Sequence, residues 1–399
     1  MALRFLREGR MQTLLILTGV AFGVGVMIFV HALISGLQDT LIKQTLGSQA
    51  HVVVRPQEDR ARSLSRDPSV SIASRIEKSS QRTPSIDAWQ PILEQIEQVP
   101  GVVAAAPTVA GSAFVTEGNV SKSVALRGVD PAQFVRVINV ADKIRSGEFR
   151  VHGTEAVIGA ELAKDLGLGV GDKLRMVTAA GRSDIFTIRG IFDLGNKDVN
   201  QRWVFVSLRT AQTMLDLVGS ISTIEVRVKQ VFDAEAISVE VASRTGLVAD
   251  SWMKLNQQLL IGLSSQNSSS YMIQFFVMLA VTLGIASVLV VSVVQKSREI
   301  GILKATGTST RRVMRVFLIQ GGIVGLLGAV IGSGIGTVLS LIFSSLAKNP
   351  DGSPKFPVDL NAGLFATALA VATVTGLLAA VAPARRAARL DPATVIRNG

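Results

Sequence analysis

The chain has 399 residues, of which 48% are hydrophobic but only 5% aromatic, and 36 are glycine. This mixture is typical of tightly packed membrane helices rather than of an aromatic-rich soluble core. The sequence contains no cysteine, which excludes disulfides, zinc–thiolate sites and cysteine nucleophiles.

Four long stretches without charged residues predict a polytopic α-helical membrane protein with four transmembrane helices. A bilayer core of roughly 30 Å requires about 20 apolar residues in a helix. Suitable segments lie at 13–35, 271–294, 316–346 and 362–382, and are called spans one to four. The apolar run of span one is much longer than that of a cleavable signal peptide, so we expect an uncleaved anchor.

The positions of Lys and Arg predict the orientation, because basic residues accumulate in cytoplasmic loops. Residues 1–12, 295–315 and 383–399 contain 13 of the 41 basic residues and 3 of the 30 acidic ones. We therefore expect both termini and the loop 295–315 in the cytoplasm, and residues 36–270 and 347–361 on the outer side. The remaining 28 basic and 27 acidic residues nearly cancel, so the net charge of +11 reflects topology and anionic lipid, not nucleic acid.

Residues 36–270 predict a large mixed α/β domain with two subdomains, which the orientation places in the periplasm. We expect a mobile, Ser- and Arg-rich insert at about 57–85 and a helical stalk formed by 36–47 and 251–270. Predicted strands lie at 51–55, 102–106, 112–116, 123–128, 203–208 and 223–229, with a hairpin over 175–193. Predicted helices follow N-caps at Ser85 and Ser207, and a third covers 234–244.

Motifs for catalysis and metal binding are absent from the sequence. No G-x-x-x-x-G-K-[ST] motif occurs, so the chain has no P-loop. Gly167, Gly169 and Gly171 follow a helix and precede a strand, which is the reverse of the dinucleotide-binding order. The three histidines lack partners at metal-ligand spacing, and we predict no catalytic residue and no metal site.

Small residues recur at four-residue spacing in two spans. Gly19 and Gly23 lie in span one, and Gly328, Gly332 and Gly336 lie in span three. This spacing places them on one helix face and permits close helix packing. The pattern leaves two alternatives open, which are packing within one chain and a seam between subunits.

The most specific stretch, QKSREIGILKATGTSTRRVMRVFLIQG, begins at Gln295 and continues into span three. Gly307 separates a first amphipathic helix from a second short helix that starts at about Ser309. The charged residues of this element are Arg298, Glu299, Lys304, Arg311 and Arg312. We expect the element to dock into a groove of another protein; the alternative is a basic cytoplasmic loop without a partner.

SREIGILKATGTS at 297–309 and the PARRAARLDP segment at 383–392 resemble motifs of the MacB/LolC/LolE/FtsX superfamily of ABC transporter permeases. The order of one span, a large periplasmic domain and three spans is similar over essentially the whole chain. PGVVAAAP at 100–107, IGAELAKDLGLGVGDKL and SWMKLNQQLL are most similar to the LolC/LolE lipoprotein-release branch. The insert at 57–85 departs from the compact pattern of that branch.

The resemblance implies a non-catalytic permease of the bacterial inner membrane that is driven by a separate ABC ATPase. This chain would carry no cofactor, because ATP and Mg²⁺ would bind to the ATPase. Loop 295–315 would be the coupling helix, and two ATPases would join two permease chains, identical or sister. Mechanotransmission would then move lipoproteins or lipids toward a periplasmic carrier.

Two other activities remain open within the same superfamily. The first is a MacB-like exporter or efflux permease that works with a membrane-fusion protein. The second is an FtsX-like signalling permease that controls a periplasmic hydrolase.

The lipoprotein branch also implies a cavity for acyl chains between spans one and two. Bulky residues near the outer halves of these spans are the candidates for its lining: Met27, Phe29, Met272, Phe275 and Phe276. The alternative is that these side chains simply face lipid or pack between helices.

Overall fold

The computed structural model describes residues 10–57, 84–118, 120–346, 348 and 358–390. The predicted insert, most of the loop 347–361 and the end of the cytoplasmic tail lie outside these residues. The chain divides into two compact units. One consists of Met1–Leu41 with Ile261–Gly399, and the other of Ile42–Leu260.

The first unit contains four helices that are long and apolar enough to cross a membrane, which confirms the prediction of four spans. They are α1 Arg10–Ser48, α9 Gln257–Gln295, α11 Thr310–Leu346 and α12 Ala362–Ala388. A short helix, α10 Ser297–Ala305, connects α9 to α11.

Helices α1 and α9 continue well beyond spans one and two without a break. Each has 39 residues, which corresponds to about 58 Å against a bilayer core of roughly 30 Å. Outside the spans, Gln38 Nε2 donates hydrogen bonds to Asn267 Oδ1 at 2.8 Å and to the Leu263 carbonyl at 3.4 Å. Residues 36–47 and 257–270 of the predicted stalk are therefore helical extensions of the spans, joined by a polar contact, whereas residues 251–256 lie outside α9.

Span three packs against its neighbours through glycine. A Cβ atom at Gly325 would lie 2.5 Å from the Ala372 carbonyl oxygen of α12. A Cβ atom at Gly332 would lie 2.6 Å from the Ala21 carbonyl oxygen of α1. Gly321 and Gly376 approach each other's carbonyl oxygen in the same way, and Gly336 approaches that of Gly25, whereas Gly328 lies against the Val20 side chain. One edge of α11 thus lies against the backbone of α12, and another against that of α1.

The glycines predicted to pack behave in two ways. Gly328, Gly332 and Gly336 contact α1 of the same chain, so α1 occupies the space that a second subunit would need. A Cβ at Gly23 would lie 2.6 Å from Val281 of α9, whereas one at Gly19 would meet nothing within 4 Å. Packing within the chain therefore accounts for all of these glycines except Gly19.

The second unit contains ten strands, seven short α-helices and two 3-10 helices among its described residues. The strands are β1 Val52–Arg55, β2 Val102–Glu117, β3 Val120–Val129, β4 Ile144–Gly147, β5 Glu155–Gly159, β6 Lys173–Thr178, β7 Ser183–Phe192, β8 Trp203–Ser207, β9 Thr223–Val228 and β10 Val248–Ser251. The α-helices are α2 Trp89–Glu97, α3 Pro131–Val137, α4 Ala160–Leu166, α5 Lys197–Arg202, α6 Leu208–Met214, α7 Ala234–Thr245 and α8 Trp252–Leu255.

All ten strands belong to one sheet in the order β10-β1-β9-β2-β3-β8-β5-β7-β4, with β6 pairing to both β2 and β7. Strands β2, β3, β8, β5, β7 and β6 therefore close into a ring, and β9, β1 and β10 extend from it as an open sheet. Because β2 belongs to both parts, the ring and the open sheet are continuous with each other.

The prediction of separate strands at 102–106 and 112–116 is wrong, because both segments lie in the 16-residue β2. Its first half pairs with β9 and its second half with β6, so the strand changes partners without turning. Gly111 lies within the strand, where an added Cβ would be 2.5 Å from Leu215 Cδ2.

Of the two predicted helix caps, one is confirmed and the other is wrong. Ser207 caps α6 by accepting a hydrogen bond from the Thr210 N–H, as predicted. Ser85 does not cap α2, since that helix starts only at Trp89, after Ala88 in a left-handed conformation with φ of 46°. Ser85 forms a long 3.4 Å hydrogen bond to Asp87 instead.

A buried ion pair joins β3 to β9 beneath helix α3. The Arg127 and Glu225 side chains are only 12% and 5% exposed. The Trp203 ring centre lies 4.0 Å from the Arg127 guanidinium carbon. Burial lowers the pKa of Arg127 to about 10, so the residue remains charged at neutral pH. The pair therefore places two opposite charges inside the second unit.

Replacing Gly325 with Val should force α11 and α12 apart, because a side chain has no room beside the Ala372 carbonyl. Overpacking of this kind typically costs about 1–3 kcal/mol. The matched control is Gly334→Val on the same helix, where an added Cβ meets nothing within 4 Å. Thermal unfolding in detergent, followed by circular dichroism, should show a lower Tm for Gly325→Val than for the control. Equal Tm values would contradict the packing role of Gly325.

Replacing Arg127 with Met should destabilise the second unit by about 3–5 kcal/mol, since Glu225 would remain buried and unpaired. The double variant Arg127→Met/Glu225→Leu should recover most of that loss. All three tryptophans, Trp89, Trp203 and Trp252, lie in this unit, so tryptophan fluorescence during urea unfolding of the full chain reports on it. A double variant less stable than Arg127→Met would contradict this account.

Candidate functional site

The loop between spans two and three forms a helix, a turn and a second helix. Helix α10 begins at Ser297, directly after α9 ends at Gln295. Gly307 then adopts a φ of +95°, a conformation that suits glycine and few other residues. The following helix starts at Thr310 and continues to Leu346, so the prediction of a separate short helix is wrong. Because α10 is bounded by breaks on both sides, it is a distinct element.

Helix α10 has a buried face and an exposed face. Ile300 and Gly301 are buried, and Ile300 shares an apolar cluster with Val293, Phe317 and Ala384. Arg298 and Glu299 point away from this cluster and are exposed. The amphipathic pattern predicted from sequence thus uses its apolar side within the chain.

Four of the five predicted coupling residues are exposed on the same unit. These are Arg298, Glu299, Arg311 and Arg312. Lys296 Nζ lies 3.9 Å from Glu299 Oε2, and the Glu299 side chain is 57% exposed. The surface formed by α10 and the start of α11 therefore exposes these four charged side chains.

Lys304 differs from the other four residues. Its Nζ donates hydrogen bonds to the carbonyl oxygens of Ala388 at 2.9 Å and Leu390 at 2.6 Å, at the end of α12. The side chain is half-buried. Lys304 therefore links two elements of this chain, and its ammonium group is not free to bind a partner.

The five residues predicted to line a cavity are not brought together. Met27 is only 9% exposed, and Phe29 packs edge-on against Phe343 of α11 at 5.7 Å between ring centres. Met272, Phe275 and Phe276 are all about 60% exposed on α9. These five side chains therefore divide between helix packing and the outer surface of the bundle.

A groove with a volume of about 390 Å³ lies between α1 and α9, at the half of span one predicted to be cytoplasmic and at the middle of span two. Its lining is uncharged and almost entirely apolar: Leu15, Ile16, Gly19, Val20, Phe22, Gly23, Val26, Val277, Ala280, Val281, Gly284, Ile285 and Val288. Added Cβ atoms at Gly19 and Gly284 would meet nothing within 4 Å, so these glycines leave the groove open.

The bulky residues predicted to line a cavity lie elsewhere, and the groove is formed where side chains are missing. The pair Gly19 and Gly23 was the available signal, but this pair was predicted to pack helices, either within one chain or between subunits. Among the described residues, no group of three His, Cys, Asp or Glu side chains is arranged to hold a metal ion.

Comparison with known proteins identifies two regions of the chain. Residues 13–244 match the MacB-like periplasmic core domain, and residues 271–392 match the FtsX-like permease C-terminal region. The first of these models alone covers more than half of the chain. The chain belongs to the MacB/LolC/LolE/FtsX superfamily of ABC transporter permeases. It is therefore a multi-pass protein of the bacterial inner membrane and a permease subunit of an ABC transporter.

Individual relatives place this permease in the LolC/LolE branch. It is 22% identical to the lipoprotein-releasing system transmembrane protein LolC of Neisseria meningitidis serogroup B, over 98% of this chain and 95% of that protein. It is 25% identical to LolC of Xylella fastidiosa strain Temecula1, over 99% of this chain and 97% of that protein. The probable export ATP-binding/permease protein MacB of Pseudomonas entomophila is 24% identical over 96% of this chain but only 56% of its own length.

Proposed function

We propose that this permease extracts lipoproteins or lipids from the inner membrane and passes them toward a periplasmic acceptor. The observation that carries the proposal is the apolar groove between α1 and α9. Its lining contains no charged residue, and its walls belong to two membrane-spanning helices. These properties suit the acyl chain of a molecule that is already in the bilayer.

The release of an acyl chain from such a groove requires energy, because the chain must leave an apolar environment. Lipid tails are as apolar as leucine, so transfer from bilayer to groove is nearly neutral. Transfer from the groove to water costs about 0.8 kcal/mol for each methylene, or on the order of 12 kcal/mol for about 15 methylenes. Release toward the periplasm therefore requires energy from ATP and an acceptor that shields the chain from water.

ATP hydrolysis is assigned to a separate subunit. The chain has no P-loop, and it matches 95% of a LolC protein but only 56% of a MacB protein whose name includes ATP binding. ATP and Mg²⁺ would then bind to that ABC ATPase. The exposed residues Arg298, Glu299, Arg311 and Arg312 would form its docking surface, with α10 as the coupling helix.

The assembly that follows contains two ATPases and two permease chains, identical or sister. Both termini and α10 would lie in the cytoplasm, as the basic segments predict, and the second unit in the periplasm. Closure of the ATPases would move α10 and, through the spans, the periplasmic unit. This mechanotransmission would release the cargo to a periplasmic lipoprotein carrier.

A second candidate is a MacB-like exporter that works with a membrane-fusion protein. The match of residues 13–244 to the MacB-like core domain favours it. The two candidates differ in cargo, because an exporter would take its substrate from the periplasm and would not need acyl chains in the groove.

Co-purification distinguishes the two candidates. The permease is solubilised from its native membrane, and bound proteins and lipids are identified by mass spectrometry. We expect an ABC ATPase together with acylated cargo. An ATPase with a membrane-fusion protein and no acylated cargo would favour the exporter. Recovery of the permease without any ATPase would refute both.

Filling the groove should reduce the recovery of cargo. Gly284→Leu places a side chain in the groove without a clash, since an added Cβ has open space there. We expect several-fold less acylated cargo per permease, with the ATPase bound as before. Gly334→Leu is the matched control, because Gly334 is also a helical glycine with open space but lies outside the groove. Equal cargo recovery from the two variants would argue against the groove as the binding site.

Reversing charges on α10 and α11 should weaken the docking of the ATPase. The double variant Glu299→Lys/Arg312→Glu alters two exposed side chains and should lower ATPase recovery about tenfold, equivalent to about 1.4 kcal/mol. Membrane insertion, measured by protease protection, should remain normal. Arg385→Glu provides a control with a reversed charge on another exposed cytoplasmic position. Normal ATPase recovery and activity of the double variant would remove the proposed docking role.

A further inference from the structure

We infer that Lys304 is a positioning residue that fastens α10 to the cytoplasmic end of α12, so that a displacement of α10 moves span four directly. This inference rests on the proposed docking of an ATPase at α10. The contact itself, however, can be tested in the permease alone.

The end of α12 is a favourable site for a cation. The last four carbonyl groups of a helix have no partner within the helix, and they form the negative end of its dipole. Lys304 Nζ lies 2.9 Å from the Ala388 carbonyl oxygen and 2.6 Å from that of Leu390. Hydrogen bonds from a charged donor are shorter and stronger than those between neutral groups. Lys304 therefore binds the backbone of α12, and its contact does not depend on the side chains there.

A second contact lies one helical turn away on the same face of α10. Ile300 belongs to an apolar cluster with Ala384 and Ala387 of α12, against which Leu390 also packs. Residues four apart lie on one helix face. Helix α10 is thus held to α12 at two points, which prevents rotation about either one alone.

The covalent route from α10 leads only to span three. It passes through Gly307, which has a φ of +95°, before α11 begins at Thr310. Ile300 also shares an apolar cluster with Val313 and Phe317 of α11. Lys304 adds a direct contact with the end of α12, so a force on α10 reaches span four without passing through span three.

The simpler alternative is that Lys304 is one more basic residue of a cytoplasmic loop. The geometry disfavours it, because Arg298, Arg311 and Arg312 are exposed whereas the Lys304 ammonium contacts two carbonyl groups of this chain. A lysine that only follows the positive-inside rule has no need of such acceptors.

Double electron–electron resonance measures the distance between two spin labels and tests the attachment of α10 to α12 in the full-length permease in lipid nanodiscs. Spin labels are placed at Ile302→Cys on α10 and Arg386→Cys on α12, both exposed positions in a chain without native cysteine. We expect a narrow distance distribution in the otherwise unchanged chain and in Lys304→Arg. Lys304→Met keeps the length of the side chain but removes the donor, and should broaden the distribution. Arg298→Gln, a charge loss on the exposed face of α10, should leave it narrow.

A second measurement uses the permease together with the ATPase that co-purifies with it. Lys304→Met should retain the ATPase but lower the cargo-dependent change in ATP hydrolysis about fivefold, the lower end of ordinary coupling between sites. Lys304→Arg should restore the response. Arg298→Gln should instead reduce the amount of ATPase bound.

The outcomes separate this inference from the proposed function. An equally narrow distribution in Lys304→Met overturns the attachment, whether or not an ATPase is found. A broadened distribution with unchanged ATPase response overturns the role in transmission. Loss of bound ATPase in Lys304→Met would make Lys304 a docking residue and overturn its positioning role. Absence of any ATPase would refute the proposed function, and the distance measurement would still decide the attachment.

Discussion

Close contact between helix backbones is the constraint on which the membrane unit depends. In a bilayer, lipid tails compete with apolar side chains, so helices associate through close van der Waals contact rather than through the hydrophobic effect. Span three meets this requirement along two edges, with Gly321 and Gly325 against α12 and Gly328, Gly332 and Gly336 against α1. Three of the four membrane helices are thereby held together. Helix α9 lacks such a seam with α11, and the groove lies where α9 meets α1.

The sequence was informative wherever the signal is local. Hydropathy predicted the four spans, and a serine before an apolar run predicted the cap of α6 by Ser207. It failed where distant segments decide the structure. Strand β2 remains extended through Gly111 because β9 and β6 pair with its two halves, and no local pattern reveals those partners. The acceptors of Lys304 lie 84 and 86 residues further along the chain. The groove was missed because it is defined by absent side chains.

Charged side chains are arranged differently in the two units. The second unit encloses the Arg127–Glu225 pair. The first unit exposes four charged residues on α10 and the start of α11, whereas a fifth, Lys304, contacts the end of α12. Under the proposed function, the chain would be the part of the transporter that converts motion into movement of cargo.

Because α1 and α9 are long, a small change in the tilt of either helix displaces its ends by a large distance. Each helix measures about 58 Å, so a tilt of about 10° displaces its far end by roughly 10 Å. The hydrogen bond between Gln38 and Asn267 holds the pair together outside the spans. It lies about 18 Å along α1 from Val26, the near edge of the groove. If that bond acts as a pivot, a relative tilt of about 10° changes the width at that edge by roughly 3 Å. Under the proposed function, a small relative tilt of the two helices would therefore change the width of the groove.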